Sequence, residues 1–203
     1  MQTGISKRKE QNKATEEHIL EATLDTIEEC TISGTRMHLI AEKADLPKSN
    51  VLYYFKTKDE LLHAVQKKVL NKCLDERNEF RVDAKDNLES QLDVFINQKK
   101  DFNLKNQKNN YAENDFWLQG RIFPEIRQGF IDSFNGWRED IRTILKKYVP
   151  NLPKKDEEIL PYQFVSMLEG ATIQYLIDEG NFDLDVYFDY AKKMILDAVE
   201  EYR

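Results

Sequence analysis

Between residues 15 and 29, Ile19, Leu20, Thr23, Leu24 and Ile27 fall at i, i+1, i+4, i+5 and i+8, the spacing of one helical face. Thr15, followed by Glu16 and Glu17, is placed to cap that helix, with the acids at the positive end of its dipole. A second, short helix opens at Gly34-Thr35 and buries Met37, Ile40, Ala41 and Ala44. It stops at Asp45-Leu46-Pro47, and the fixed φ of Pro47 suits the first turn of a third helix running through Lys48 and Tyr54 to Phe55. Lys56-Thr57 breaks this run. Thr57 then caps a longer fourth helix over about 58–80, with Leu61, Leu62, Val65, Val69 and Cys73 facing inward.

The same period continues to the end of the chain. It predicts helices over 89–104 (Leu92, Phe95, Ile96, Phe102), 111–122, 124–148, 157–178 and 184–202, with Gly180-Asn181 between the last two. Only 7 glycines and 5 prolines occur, too few for a sandwich or barrel that turns every few residues. The expected fold is all-α: an N-terminal three-helix helix-turn-helix domain over 1–60 and a larger helical domain over 61–203.

Charge refines this picture. The net charge is −7, yet Lys7, Arg8, Lys9 and Lys13 face a single acid, Glu10, and Arg36, Lys43, Lys48, Lys56 and Lys58 face only Glu42 and Asp45. Two basic segments thus sit in an acidic chain, a pattern open to ordinary solvated surface or to a polyanionic partner. No apolar run reaches the length of a membrane span, and no apolar stretch follows the basic N-terminus, so a cytoplasmic protein without a membrane partner is expected. Cys30 and Cys73 offer neither a CxxC nor a metal set, and His18, His38 and His63 are isolated. HExxH, GxSxG, GxGxxG and GxxxxGK are absent, so no enzyme, cofactor or metal site is expected.

Two short helices joined by Ala-Asp-Leu-Pro make a helix-turn-helix arrangement. A major groove admits one helix, so base-reading side chains must lie in its first turns while Val51 and Phe55, four apart, anchor its back. Lys48, Ser49, Asn50, Leu52 and Tyr53 then face outward. The stretch from Gly34 to Leu61, with its Ile40-Ala41 pair, Ala44-Asp45-Leu46 turn, Tyr54-Phe55 and Lys58-Asp59-Glu60-Leu61, resembles the DNA-binding signature of TetR-family transcriptional regulators. It departs from that signature at Thr31 and Asp45, where glycine is usual, at Pro47, where Ser or Thr is usual, and at Leu52, often Tyr. The resemblance implies Lys48, Ser49, Asn50 and Leu52 at base edges and Tyr53, Tyr54 and Lys58 at phosphates. It also implies Thr35 and Arg36 beside the backbone and His38 at a DNA-facing position. The arm over 6–13 either reaches a neighbouring groove or stays nonspecific.

The segments Phe116-Trp117-Leu118-Gln119-Gly120, Trp137-Arg138-Glu139-Asp140-Ile141 and Leu168-Glu169-Gly170 are similar to the ligand-binding half of the BetI-type branch of that family. Phe102, Phe116, Trp117, Phe134, Trp137 and Tyr175 are candidates to line an effector pocket among the fifth to seventh helices, and Arg121 to pair with an anionic ligand. Each of these rings, taken singly, is more simply read as core. The expected molecule is a ligand-responsive repressor that binds double-stranded, near-palindromic operator DNA as a homodimer paired through its last two helices. Its alternative, a helical protein-interaction module without DNA binding, leaves the Pro47 to Lys58 pattern unexplained.

Overall fold

The computed structural model describes residues 2–203, with side chains from residue 7 onward. Among the described residues nine α-helices follow one another: α1 (Gln2–Gly34), α2 (Met37–Lys43), α3 (Lys48–Tyr54), α4 (Lys58–Val82), α5 (Leu88–Leu104), α6 (Gln107–Gln119), α7 (Pro124–Tyr148), α8 (Lys154–Ile177) and α9 (Leu184–Val199). A short 3-10 turn, Glu200–Tyr202, closes the described chain. The all-α expectation holds. Among the described residues no helix is long and apolar enough to cross a membrane.

The chain forms two compact units, residues 1–71 with 108–129 and residues 72–107 with 130–203. The first unit therefore takes in α6 and the start of α7, a membership that the linear order of the pattern does not reveal. In it, Ile19 and Leu24 of α1, Ile40 of α2, Val51 of α3 and Leu61 and Val65 of α4 are fully buried. The second unit centres on Phe95, Trp137, Phe164, Leu168 and Phe188. Phe95 lies 6.3 Å from the rings of both Trp137 and Phe164, at tilted and edge-on angles that aromatic quadrupoles favour.

Local chemistry explains most helix ends. Thr57 caps α4, since its Oγ1 accepts the Glu60 N–H at 3.1 Å while the Glu60 carboxylate accepts the Lys56 N–H at 2.8 Å. After α2, Asp45 adopts a left-handed φ of 48°. Its N–H donates to Glu42 O and that of Leu46 to Ala41 O, the paired bonds of a Schellman ending. Asp is tolerated in this region, so the turn survives without glycine. Pro47 is the N-cap of α3 rather than its first helical residue.

Thr15 is not a cap. It lies inside α1 and its hydroxyl donates to the Gln11 carbonyl at 3.0 Å. The helix extends further because residues 7–14 contain no Gly, Pro or β-branched residue to stop it. The arm expected at 6–13 is thus part of α1, although the side chain of Ser6 falls outside those described.

The first helix is interrupted at Thr31, where φ is 61° and ψ 170°. A β-branched residue in that conformation is strained, and the strain is held by neighbours: both the N–H and the hydroxyl of Thr35 donate to the Thr31 carbonyl, at 3.0 and 2.8 Å. Thr31→Gly is expected to relieve about 1 kcal/mol and raise the melting temperature by a few degrees. A lower Tm in thermal unfolding would show that the kink is not strained in solution.

Candidate functional site

The third helix is held from behind. Val51 is fully buried and Phe55 almost so, which turns Lys48, Ser49 and Asn50 of the first turn outward into solvent. Tyr53 is 63% exposed, Leu52 and Tyr54 half-buried. The Tyr53 and Tyr54 rings meet edge to face at 5.2 Å, and the Tyr54 hydroxyl lies 3.4 Å from Asn12 Oδ1 on α1. Lys56, exposed, places its ammonium 5.5 Å from the Tyr53 ring centre and donates to the Tyr53 carbonyl. Sequence reasoning passed over Lys56, although its place one residue beyond the α3 C-cap makes it part of the same surface.

The flanking candidates differ in availability. Arg36 and His38 are exposed, with the Arg36 guanidinium resting on the Ser33 and Thr35 carbonyls at 2.6 and 2.9 Å. Thr35 is fully buried and its hydroxyl is spent on Thr31, so it builds the kink and does not present itself to a partner. Lys58 is half-buried and donates to the Ile32 carbonyl at 2.6 Å. Burial, then the nearby Arg36 charge, lowers its pKa. A phosphate at Lys58 must share that ammonium with Ile32.

The Ile32 peptide is a junction. Its N–H donates to the Asp115 carboxylate on α6 while its carbonyl accepts from Lys58 at the start of α4. A second tie joins the same two helices, since Lys108 of α6 bridges Glu21 and Asp25 of α1 at 3.0 and 2.8 Å. Burial opposes the Lys108 charge but the two carboxylates outweigh it, leaving its pKa raised.

The seven residues singled out for an effector do not all fall in one unit. Phe116, Trp117 and Arg121 belong to the first, where Phe116 is buried and borders an open cleft of about 390 Å³ with Asp59, His63 and Glu125. Arg121 is exposed in the turn after α6, its backbone N–H bonded to Leu118 O. Phe102, Phe134, Trp137 and Tyr175 belong to the second unit. There Phe102 and Trp137 are buried, Phe134 stacks on Phe130 at 6.2 Å, and the Tyr175 hydroxyl reaches Glu179 at 3.2 Å.

What the second unit places among its rings is charge. Arg77 is 1% exposed and lays its guanidinium 3.9 Å from the Trp137 ring centre and 5.2 Å from that of Phe95. Burial draws its pKa down to about 10, which still leaves it a cation at neutral pH. Lys99, fully buried, lies 5.3 Å from Trp137 and 5.2 Å from Phe102 and pairs with Glu169 at 2.9 Å. Neither cation was singled out from the sequence. Their signal was nevertheless there: Arg77 continues the inward row Val69, Cys73 at four-residue steps, and Lys99 stands in the row Leu92, Phe95, Phe102.

A short helix locked to the core by two apolar residues, with a polar first turn facing outward, is the arrangement of a helix-turn-helix recognition helix. Residues 19–65 match the family model described as bacterial regulatory proteins, tetR family. The regulator RutR of Escherichia coli is 40% identical over 77 residues, a match spanning 38% of this chain and 36% of RutR, about a third of its length. The regulator BetI of Stenotrophomonas maltophilia is 28% identical over 83% of this chain and 85% of its own. A transcriptional regulator from Rhodococcus sp. Rha1 superposes with a TM-score of 0.80 at 15% identity, covering 91% of this chain and 97% of that one. A protein from Saccharomonospora viridis described as a transcriptional regulator, solved in complex with choline, superposes equally well at 16% identity over 90% and 96%. Residues 19–65 thus carry the DNA-binding segment of the tetR family, and the chain as a whole shares its fold with these regulators.

Proposed function

We propose that this protein is a cytoplasmic, ligand-responsive repressor that binds a near-palindromic operator as a homodimer and leaves it when a small organic effector binds the helical C-terminal part. The observation that carries the reading is α3: a first turn of Lys48, Ser49 and Asn50 held out by buried Val51 and Phe55. Leu52 faces a thymine methyl and Tyr53, Tyr54, Arg36 and Lys56 serve phosphates, with His38 at the edge of the same surface. One recognition helix reads few base pairs, so specificity calls for two copies. Val186, Tyr190 and Met194, all exposed, form a stripe at i, i+4 and i+8 on α9, and Ile173 and Ile177 are exposed on α8. Such an apolar face suits pairing with its own copy as a four-helix bundle.

Effector binding must favour a spacing of the two recognition helices that misfits the grooves, because a ligand equally good for both states shifts nothing. The two ties of α6 to α1, through Asp115 and Lys108, and the length of α4 support a route for that change. The test is a mobility shift on the DNA upstream of the protein's own gene at two salt concentrations. Asn50→Ala is expected to cost about 1–3 kcal/mol on the operator and little on random DNA, whereas Lys56→Ala weakens both and lowers the salt slope by about 1. Equal losses for Asn50→Ala on operator and random DNA, or a monomer in sedimentation that still binds the operator, would contradict the reading.

A further inference from the structure

We propose that the second unit holds an anion-binding site, formed by the Nε–H and Nη2–H of Arg77 with Lys99 beside it against Trp137, that takes the carboxylate of a small organic effector with a flat apolar body. The proposal rests on the ligand-responsive reading above and names the chemistry of its effector.

Arg77 is the central observation. Although it is 1% exposed, neither its Nε nor its Nη2 has a hydrogen-bond partner among the described residues. These two donors lie on the same edge of the guanidinium and point in parallel, which is the fork that grips both oxygens of one carboxylate. Orphan donors this deep are rare, because each forfeits its hydration without return. Gln98, fully buried on α5 next to Lys99 in the chain, also leaves both amide atoms without a well-formed hydrogen bond, and it lies close enough to Glu76 to favour that carboxylate's charge.

The charges around the cluster favour an anion. Arg77 and Lys99 are two buried cations, and the close carboxylate, Glu169, is bonded to Lys99. Asp140 is paired with Arg81. Glu76, whose Oε1 accepts from Asn106 at 2.7 Å, has its pKa raised chiefly by burial, which favours its neutral form. One carboxylate delivered to the free edge of Arg77 completes the hydrogen bonding of that guanidinium and offsets its charge together. A quaternary ammonium meets the opposite situation, since the ring faces that would hold it are already covered by this chain's own cations. The site therefore selects against a choline-like cation despite the shared fold.

The full-length protein is titrated calorimetrically at fixed ionic strength with three probes of one shape: benzoate, neutral benzamide and benzyltrimethylammonium. Benzoate is expected to bind saturably, with benzamide weaker by about tenfold or more and no saturation by the ammonium. Arg77→Met removes the fork but keeps the packing on Trp137, so benzoate binding is lost while the melting temperature stays level or rises, the reverse of what a purely structural arginine gives. Arg77→Lys, which keeps the charge without the fork, recovers a minor part of the affinity. Failure of wild-type protein to bind benzoate, equal affinity for benzamide, or unchanged binding in Arg77→Met overturns the site. Operator release is read separately in the mobility assay. Arg77-dependent benzoate binding that never alters operator affinity leaves the anion site standing and refutes the induction reading instead.

Discussion

Glu169→Leu is expected to cost about 3–5 kcal/mol of folding stability, the largest single effect foreseen away from the hydrophobic core. Its carboxylate is the ion-pair partner of fully buried Lys99, so its removal takes that partner from a cation in a dry interior. Lys99→Met should cost less. The Glu169 side chain, 10% exposed, keeps a little solvent and the neighbouring Arg77 charge when Lys99 is gone. The double variant Lys99→Met with Glu169→Leu should recover most of the loss, because well-packed apolar groups replace a buried pair at little net cost. Urea unfolding of the four proteins measures the cycle. A strictly additive double variant would mean that the two residues do not share one interaction.

Asp115→Ala is expected to lower stability by about 1–3 kcal/mol, since it leaves the Ile32 N–H, at the bend of α1, without its acceptor. Its second effect is the informative one. If α6 carries the effector signal to α1, this variant binds the operator nearly as well as wild type yet responds to effector with a much smaller loss of affinity. Lys108→Ala, which cuts the tie to Glu21 and Asp25, should shift the response in the same direction with a smaller stability cost, because those pairs are partly exposed. Operator affinity with and without ligand gives the coupling factor directly. A response equal to wild type in both variants would remove α6 from the route.

The helices of the described residues and the character of α3 were legible without coordinates, and the reason is local. A helical period of apolar residues, a Thr-x-x-Glu start at Thr57 and a turn ending at Pro47 are all written within a few residues of where they act. Val51 and Phe55 could be assigned to the core, and Lys48, Ser49 and Asn50 to the surface, from spacing alone. Thr15 misled because a good capping residue says nothing about whether the chain before it can also be helical, and here it can.

What only the tertiary structure decided concerns partners brought together across tens of residues. The Thr31 bend is set by Thr35 locally, but Asp115, more than 80 positions away, is what satisfies the next peptide. Lys58 looked like a free phosphate contact until packing placed it on Ile32. Arg121 and Arg77 show the contrast most clearly: both are single arginines near aromatic residues in the chain, yet the first is solvent-exposed and the second is sealed between Trp137 and Phe95. Sequence period reports that a position faces inward. Which charge, ring or carboxylate meets it there depends on how separate helices stack, and that is where the energy of burying a charge is either repaid or left open for a ligand.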